Sequence, residues 1–255
     1  MELFSVLQTT DERPSRETLR QAFRALSWLV DVDADTLVRT GYGIVAENLP
    51  FDRATELGAV LARNGIPNQV VPRKQLPALG VAVQTRRLDC MDEHLVVYDP
   101  LGRPLPADWA SLKVVAAGVV TGSETKRIVT EKRVRRIQGY RGVRQETRRD
   151  VKYKQEQVNI MQLELFLFLD GQPRRYRVRH DKCHYHYLRG RLGLQPENNF
   201  LSMLGDIKAR AVSAMFNLGF DQLLDSASPP AAYPNARAFE EEIKWLLWRQ
   251  PRTGG

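Results

Sequence analysis

Two cysteines in 255 residues, Cys90 and Cys183, are too few for a disulfide framework. The core must be held by packing, and a reducing cytoplasm is the expected compartment. No run of about eighteen apolar residues occurs, so no membrane-spanning helix is expected. The longest apolar stretches, such as Leu165 to Leu169, are strand-sized. Met1 to Ser5 lacks a basic region leading into an apolar one, so no secretory signal is expected. Catalytic signatures are missing too: the chain has no G-x-x-x-x-G-K-[ST], no G-x-G-x-x-G after a strand, no G-x-S-x-G and no H-E-x-x-H. His94 beside Asp92 and Glu93 is a grouping that surfaces commonly carry. No catalytic residue and no cofactor are therefore expected, and an enzyme is the minority reading.

Positive charge, in contrast, is concentrated in one place. Between Thr121 and Gln155 lie twelve Lys or Arg residues against Glu124, Glu131, Glu146 and Asp150, an excess of eight that equals the net charge of +8 for the whole chain. Arg outnumbers Lys 29 to 9 overall, a bias that GC-rich coding alone would produce. Coding bias would not gather the excess into one segment, so the clustering carries the information about a partner.

Around this segment the chain reads as two parts. In residues 1–78, strand and helix alternate. The apolar run in Met1 to Thr10 reads as a strand. Ser15 is placed to cap a helix with Leu19, Ala22, Phe23, Leu26, Leu29 and Val30 at helical spacing. Thr36 to Glu47 reads as a second strand region that Gly41 splits. Asp52 is placed to cap a helix stopped by Asn64-Gly65, and Ile66 to Val71 reads as the next strand. Residues 79–250 begin as β structure. Leu95 to Tyr98 leads into the turn Asp99-Pro100-Leu101-Gly102, and Trp109 precedes a Val- and Ala-rich strand from Leu112 to Val120. Leu163 to Asp170 is apolar on both faces in its middle, which predicts a central strand covered twice. Helices are predicted near Asn198 to Ala211 and Phe239 to Trp248, and 251–255 reads as a flexible tail.

Strand-helix-strand repeated twice predicts an α/β sandwich with helices on one face of a small sheet. The stretch from Ala54 through Leu57, Leu61 and Gly65-Ile66 to Val70-Val71 resembles the second helix and strand of a ferredoxin-like module. Val97 to Gly102, with Trp109 downstream and the closing Phe239 to Trp248, resembles the bacterial pleckstrin-homology-like fold. That likeness implies a β-barrel or bent sheet closed by a C-terminal helix, interrupted here by a basic insertion at 121–155. The expected fold class is therefore α+β. The combination also resembles a family of bacterial proteins, and that likeness implies no activity.

The candidate partner-binding residues are Arg127, Lys132, Arg133, Arg135, Arg136, Arg141, Arg144, Arg148, Arg149, Lys152 and Lys154, with Tyr140 and Tyr153 available for stacking on bases. The segment reads either as a long hairpin turning at Gly139 to Gly142 or as a solvated loop, because Val129, Val134, Ile137, Val143 and Val151 fit neither period cleanly. A second cluster, His180, Cys183, His184 and His186, has ligand types suited to zinc, nickel or copper, with His184 and His186 expected on one face of a strand. A structural zinc site usually joins two separated ligand pairs and the sequence has no second one, so no metal is assigned. Trp245 and Trp248 are expected on the last helix beside its Leu stripe. The leading functional expectation is a non-enzymatic interaction or assembly protein whose basic segment meets an acidic protein or another copy of itself. Nucleic-acid binding through the same segment is the alternative, and metal-dependent activity at the His run is the third.

Overall fold

The structure is a computed structural model that describes residues 2–30, 34–35, 37–38, 41–137, 143–169, 171–225 and 232–250, with the backbone alone at 124–128, 130–137 and 143–150. It opens with β1 (Phe4–Gln8), α1 (Arg16–Arg24), β2 (Ile44–Leu49), α2 (Phe51–Arg63) and β3 (Asn68–Pro72). β1 is the middle strand of a three-stranded sheet, antiparallel to both neighbours. Ser15 starts α1 by accepting a hydrogen bond from the Thr18 amide at 3.0 Å, satisfying a donor that the first helical turn leaves orphaned. Gly65, at φ +74, stops α2, and the Ile66 amide returns to the Leu61 carbonyl at 3.0 Å. Leu19, Phe23, Leu57 and Leu61 from the two helices share a core with Val6 and Val45, so both helices cover the same face of the sheet.

The rest of the chain is built on a long sheet. After β4 (Val83–Gln84), the strands β5 (Leu88–Cys90), β6 (His94–Tyr98) and β7 (Pro104–Asp108) form a small antiparallel sheet of their own. β8 (Leu112–Ile137), β9 (Val143–Leu169) and β10 (Gln172–Arg179) then run antiparallel in sequence order. β4 pairs parallel with β10. The two-residue strands β11 (Met215–Phe216) and β12 (Ala232–Tyr233) pair parallel with β8. Three helices complete the chain: α3 (Pro196–Arg210), α4 (Leu218–Leu224) and α5 (Ala236–Arg249).

One face of the long sheet, with Leu163, Leu165 and Leu167, packs against α3, α4 and the small sheet. Its other face, with Val114, Ala116 and Phe166, packs against α5. The alternating apolar residues of β9 are thus covered on both sides, which is what the sequence predicts for a central strand. α5 is capped by Asn235, which accepts from the Ala238 amide at 2.9 Å. Its residues Phe239, Ile243, Trp245 and Leu246 share a cluster with Leu7, Ile44 and Val71 of the N-terminal sheet as well as with the long sheet. The Trp245 indole Nε1 donates to the Gln8 carbonyl at 2.7 Å. Gly43 sits at φ +78 against that indole, and a Cβ there would lie 2.8 Å from the ring.

Charges are buried where α5 meets the sheet. Glu164, fully buried, accepts from Arg175 at 2.5 Å, Arg177 at 2.7 Å and Gln162 at 3.0 Å. Glu240 on α5 takes a second hydrogen bond from each arginine, at 2.6 and 3.0 Å. Two carboxylates thus face two guanidiniums. A separate polar chain runs through Glu242, which accepts from the Tyr233 hydroxyl. Asn217 donates to Tyr233 at 2.9 Å and exchanges hydrogen bonds with the backbone of Ala117 at 2.8 and 3.1 Å.

Burial pushes the Glu242 carboxyl above its ordinary value, and the Tyr233 hydrogen bond only partly opposes this. The folded state therefore keeps a proton that the unfolded chain has released above the ordinary value of 4.5. Stability from this group is full below that value and falls as pH rises through the elevated one. Glu242→Gln is expected to flatten the decline in denaturant midpoint as pH rises above the ordinary carboxylate value. Equal slopes in variant and wild type would remove Glu242 from the account.

Four expectations are corrected. Of the Thr36 to Glu47 strand region, 37–38 are helical among the described residues and the strand proper is Ile44–Leu49. Asp52 does not cap α2: the helix begins at Phe51 directly after Pro50, whose fixed φ of −57° already suits a helix entry, and no side chain caps it. Within the β region, the described sheets are open and none closes into a barrel, because the edge strands β11 and β4 of the long sheet do not pair with each other. The α+β class holds in this coarser form. Lastly, His184 and His186 are not on a strand: His184 makes a single bridge with Arg87, and a 3-10 turn begins at His186.

Candidate functional site

The basic segment is the outer part of β8 and β9. Their pairing is continuous from Val114↔Phe166 to Ile137↔Val143, without a further register shift. The last residue of β8 buried in the body is Val120 and the first of β9 is Gln162. From Thr121↔Asn159 outward, the two strands have only each other among the described residues. At about 3.3 Å per residue, the seventeen residues from Thr121 to Ile137 make an arm roughly 55 Å long. Of the two sequence readings, the long hairpin is the one the backbone adopts. Its proposed turn, with Tyr140 and Arg141, lies outside the described residues.

The register places like charges opposite one another at the basic pairs Lys126↔Lys154, Lys132↔Arg148 and Arg136↔Arg144 and at the acidic pair Glu124↔Glu156. Directly opposed like charges destabilise a free strand pair. Glu131↔Arg149 is the one register pair of opposite charge. Arg127 stands opposite Tyr153, while Arg133 and Arg135 stand opposite Thr147 and Gln145, and Lys152 opposite Ile128. Tyr153 is 71% exposed, and Val129 and Val151 form an exposed apolar pair. Lys154 pairs with Glu156 at 3.2 Å.

No family model, curated protein or solved structure matches this chain. The site therefore stands on its own geometry and charge.

At the root of the arm the positive charge continues into the body. Arg175, Arg177 and Arg179 occupy alternate positions of β10, and Arg179 is paired in register with Gln162, where β9 leaves for the arm. A trough of about 400 Å³ opens there, lined by Gln84, Arg86, Arg177, Arg179 and Lys182 together with Ile160 of β9. A second hollow of about 550 Å³ shares Gln84 and Arg86 with it and is lined also by Arg87 and His184. The wall between them is fixed. Buried Thr85 donates its hydroxyl to the Tyr98 carbonyl at 2.5 Å, and the His184 amide donates to the Arg86 carbonyl at 2.7 Å. Arg87 lies 4.2 Å above the Tyr98 ring centre and holds Asp89 with two hydrogen bonds, at 3.0 and 2.6 Å.

The candidate metal residues are spread out. His180 faces the Met161 carbonyl at 3.2 Å and the Phe200 ring, Cys183 is partly buried, and His184 and His186 stack with ring centres 5.9 Å apart. Burial pushes the Cys183 thiol up to about 12, so it is a thiol rather than a thiolate at neutral pH. Among the described residues no group of three or more His, Cys, Asp or Glu is gathered as a metal site. Asp92, beside His94 in sequence, is held by Arg210 at 2.7 Å. Trp245 is buried, and Trp248 packs at the edge of the same cluster. Sequence reasoning missed the root cations. The alternating Arg of β10 and the pair Arg86-Arg87 were the available signals, but nothing local says that 84–87 and 177–182 meet.

Proposed function

We propose that this protein is a non-catalytic binder of double-stranded DNA that uses the arm as its reading element. The observation that carries the proposal is the shape of the basic segment: a two-stranded ribbon in which residues 121–155 carry an excess of eight positive charges. A B-form major groove, about 12 Å wide, admits a two-stranded ribbon, whereas the major groove of duplex RNA is too narrow and deep. The basic register pairs favour a polyanion specifically, because counter-charge from phosphates relieves a repulsion that the free arm must bear. Fluorescence anisotropy of a labelled duplex across a salt series tests this. Eight phosphate contacts give a log-log slope of about −7, equivalent to a 10³- to 10⁵-fold loss of affinity between 50 and 200 mM salt. No binding at low salt would remove the proposal.

A protein partner or a second copy, the first expectation from sequence, remains the second reading. The observation favouring it is that both outer edges of the arm are unpaired among the described residues and that Val129 and Val151 are exposed. Unpaired edges are templates for strand addition. That reading predicts a fixed oligomer by light scattering that persists in high salt.

We also read residues 1–78 as a ferredoxin-like module, supported by the strand order β2-β1-β3 with two helices on one face. Residues 79–250 are read as a pleckstrin-homology-like bent sheet with the arm inserted, supported by the C-terminal helix lying across β8 and β9. A cytoplasmic location is supported by two cysteines that are both free.

A further inference from the structure

The trough at the root of the arm holds four cations: Arg86, Arg177, Arg179 and Lys182. Their charge is not equally available. Arg177 is answered by Glu164 and Glu240, and Arg179 by Asp181 at 2.8 Å. Arg86 and Lys182 are exposed, and no carboxylate pairs with either among the described residues. No carboxylate lines the trough itself, so two uncompensated charges stand at a polar hollow that Gln84 also lines. The hollow is preformed. Arg86 is held at its backbone by the His184 amide, while the neighbouring Thr85 amide bonds to the Arg177 carbonyl at 2.9 Å. Lys182 ends the 3-10 turn that follows β10. The volume of about 400 Å³ exceeds that of one phosphate group and suits a short run of sugar-phosphate chain.

We infer that this trough is a second phosphate-binding site, in which Arg86 and Lys182 grip two backbone phosphates of the duplex that the arm occupies. This rests on the DNA reading above and extends it: the duplex is held along the arm and also against the body. The arm spans roughly sixteen base pairs at 3.4 Å each, so a longer duplex is needed to fill both sites.

The test uses the full chain, a 30-base-pair duplex and the variant Arg86→Ala/Lys182→Ala. As a control for bulk charge, Arg16→Ala/Arg24→Ala removes two exposed cations from α1, in the layer remote from the long sheet. Removing two phosphate contacts is expected to reduce the salt slope by about 1.8, while the control leaves it unchanged. The trough variant should keep the wild-type denaturation midpoint, since both side chains are exposed. An unchanged slope, or an equal change in the control, overturns the inference while leaving the arm reading intact. If wild type fails to bind the duplex, the arm reading falls and the trough is judged by calorimetry with tripolyphosphate. Wild type should then bind at least tenfold more tightly than the trough variant, and equal or absent binding overturns the site.

Discussion

Replacing Arg133, Arg135, Arg136, Arg148 and Arg149 with Gln removes five positive charges from the arm and reduces the slope of log affinity against log salt by about 4.5, if each engages a phosphate. Between 50 and 200 mM salt, wild type then loses roughly 500-fold more affinity than the variant. The backbone pairing of these residues runs through Arg133↔Thr147, Arg135↔Gln145, Arg136↔Arg144, Lys132↔Arg148 and Glu131↔Arg149, and Gln keeps both length and strand compatibility at each. The substitution should leave the arm intact, because it relieves two like-charge pairs at the cost of one pair of opposite charge. Anisotropy titrations at four salt concentrations suffice to read the slope. Retained affinity with an unchanged slope would locate DNA binding elsewhere on the protein.

The second large effect concerns stability. Arg175→Ala leaves Glu164, fully buried, with Arg177 and Gln162 only, and also strips Glu240 and the Gly80 carbonyl of a donor. Removing one partner from a buried ion pair costs about 3–5 kcal/mol, because the other charge stays out of water uncompensated. The double variant Arg175→Met/Glu164→Gln removes both charges and should recover most of the loss. Urea denaturation of the two variants reads the difference directly. Equal destabilisation in both would mean that the contacts of the Arg175 guanidinium with the Phe166 ring, Glu240 and the Gly80 carbonyl, rather than the stranded Glu164 charge, are what matter.

How much of this was legible in the sequence depended on the distance over which the signal acts. The Ser15 cap, the Gly65 stop and the two-faced apolar pattern of Leu163 to Leu169 act within a turn or a strand, and the structure bears them out. The arm was half legible. Its charge was plain, but a ribbon with no buried face has no apolar alternation to betray it, so hairpin and loop looked alike. Thr36 to Glu47 was half right: its Ile44 to Glu47 end is strand, but its start, where 37–38 are helical, was read as strand too. Glu164 was a signal left unused: a lone acid in an apolar strand demands a cation, and Arg175 and Arg177 on the neighbouring strand share its face. The trough needed contacts between residues about ninety positions apart, which no local pattern encodes.

The place of α5 between two sheets also sets an order of events during synthesis. The ribosome releases β1 long before α5, yet Leu7 and Ile44 find their cover on Phe239, Ile243 and Leu246, and the Gln8 carbonyl finds its donor on Trp245. Until the last helix arrives, the outer face of the N-terminal sheet and the Phe166 face of the long sheet are both bare. Contacts that bridge the whole chain close slowly, because the intervening loop must be ordered before any of them forms. Between the synthesis of β9 and that of α5 the nascent chain therefore carries two sticky surfaces, which that one helix joins.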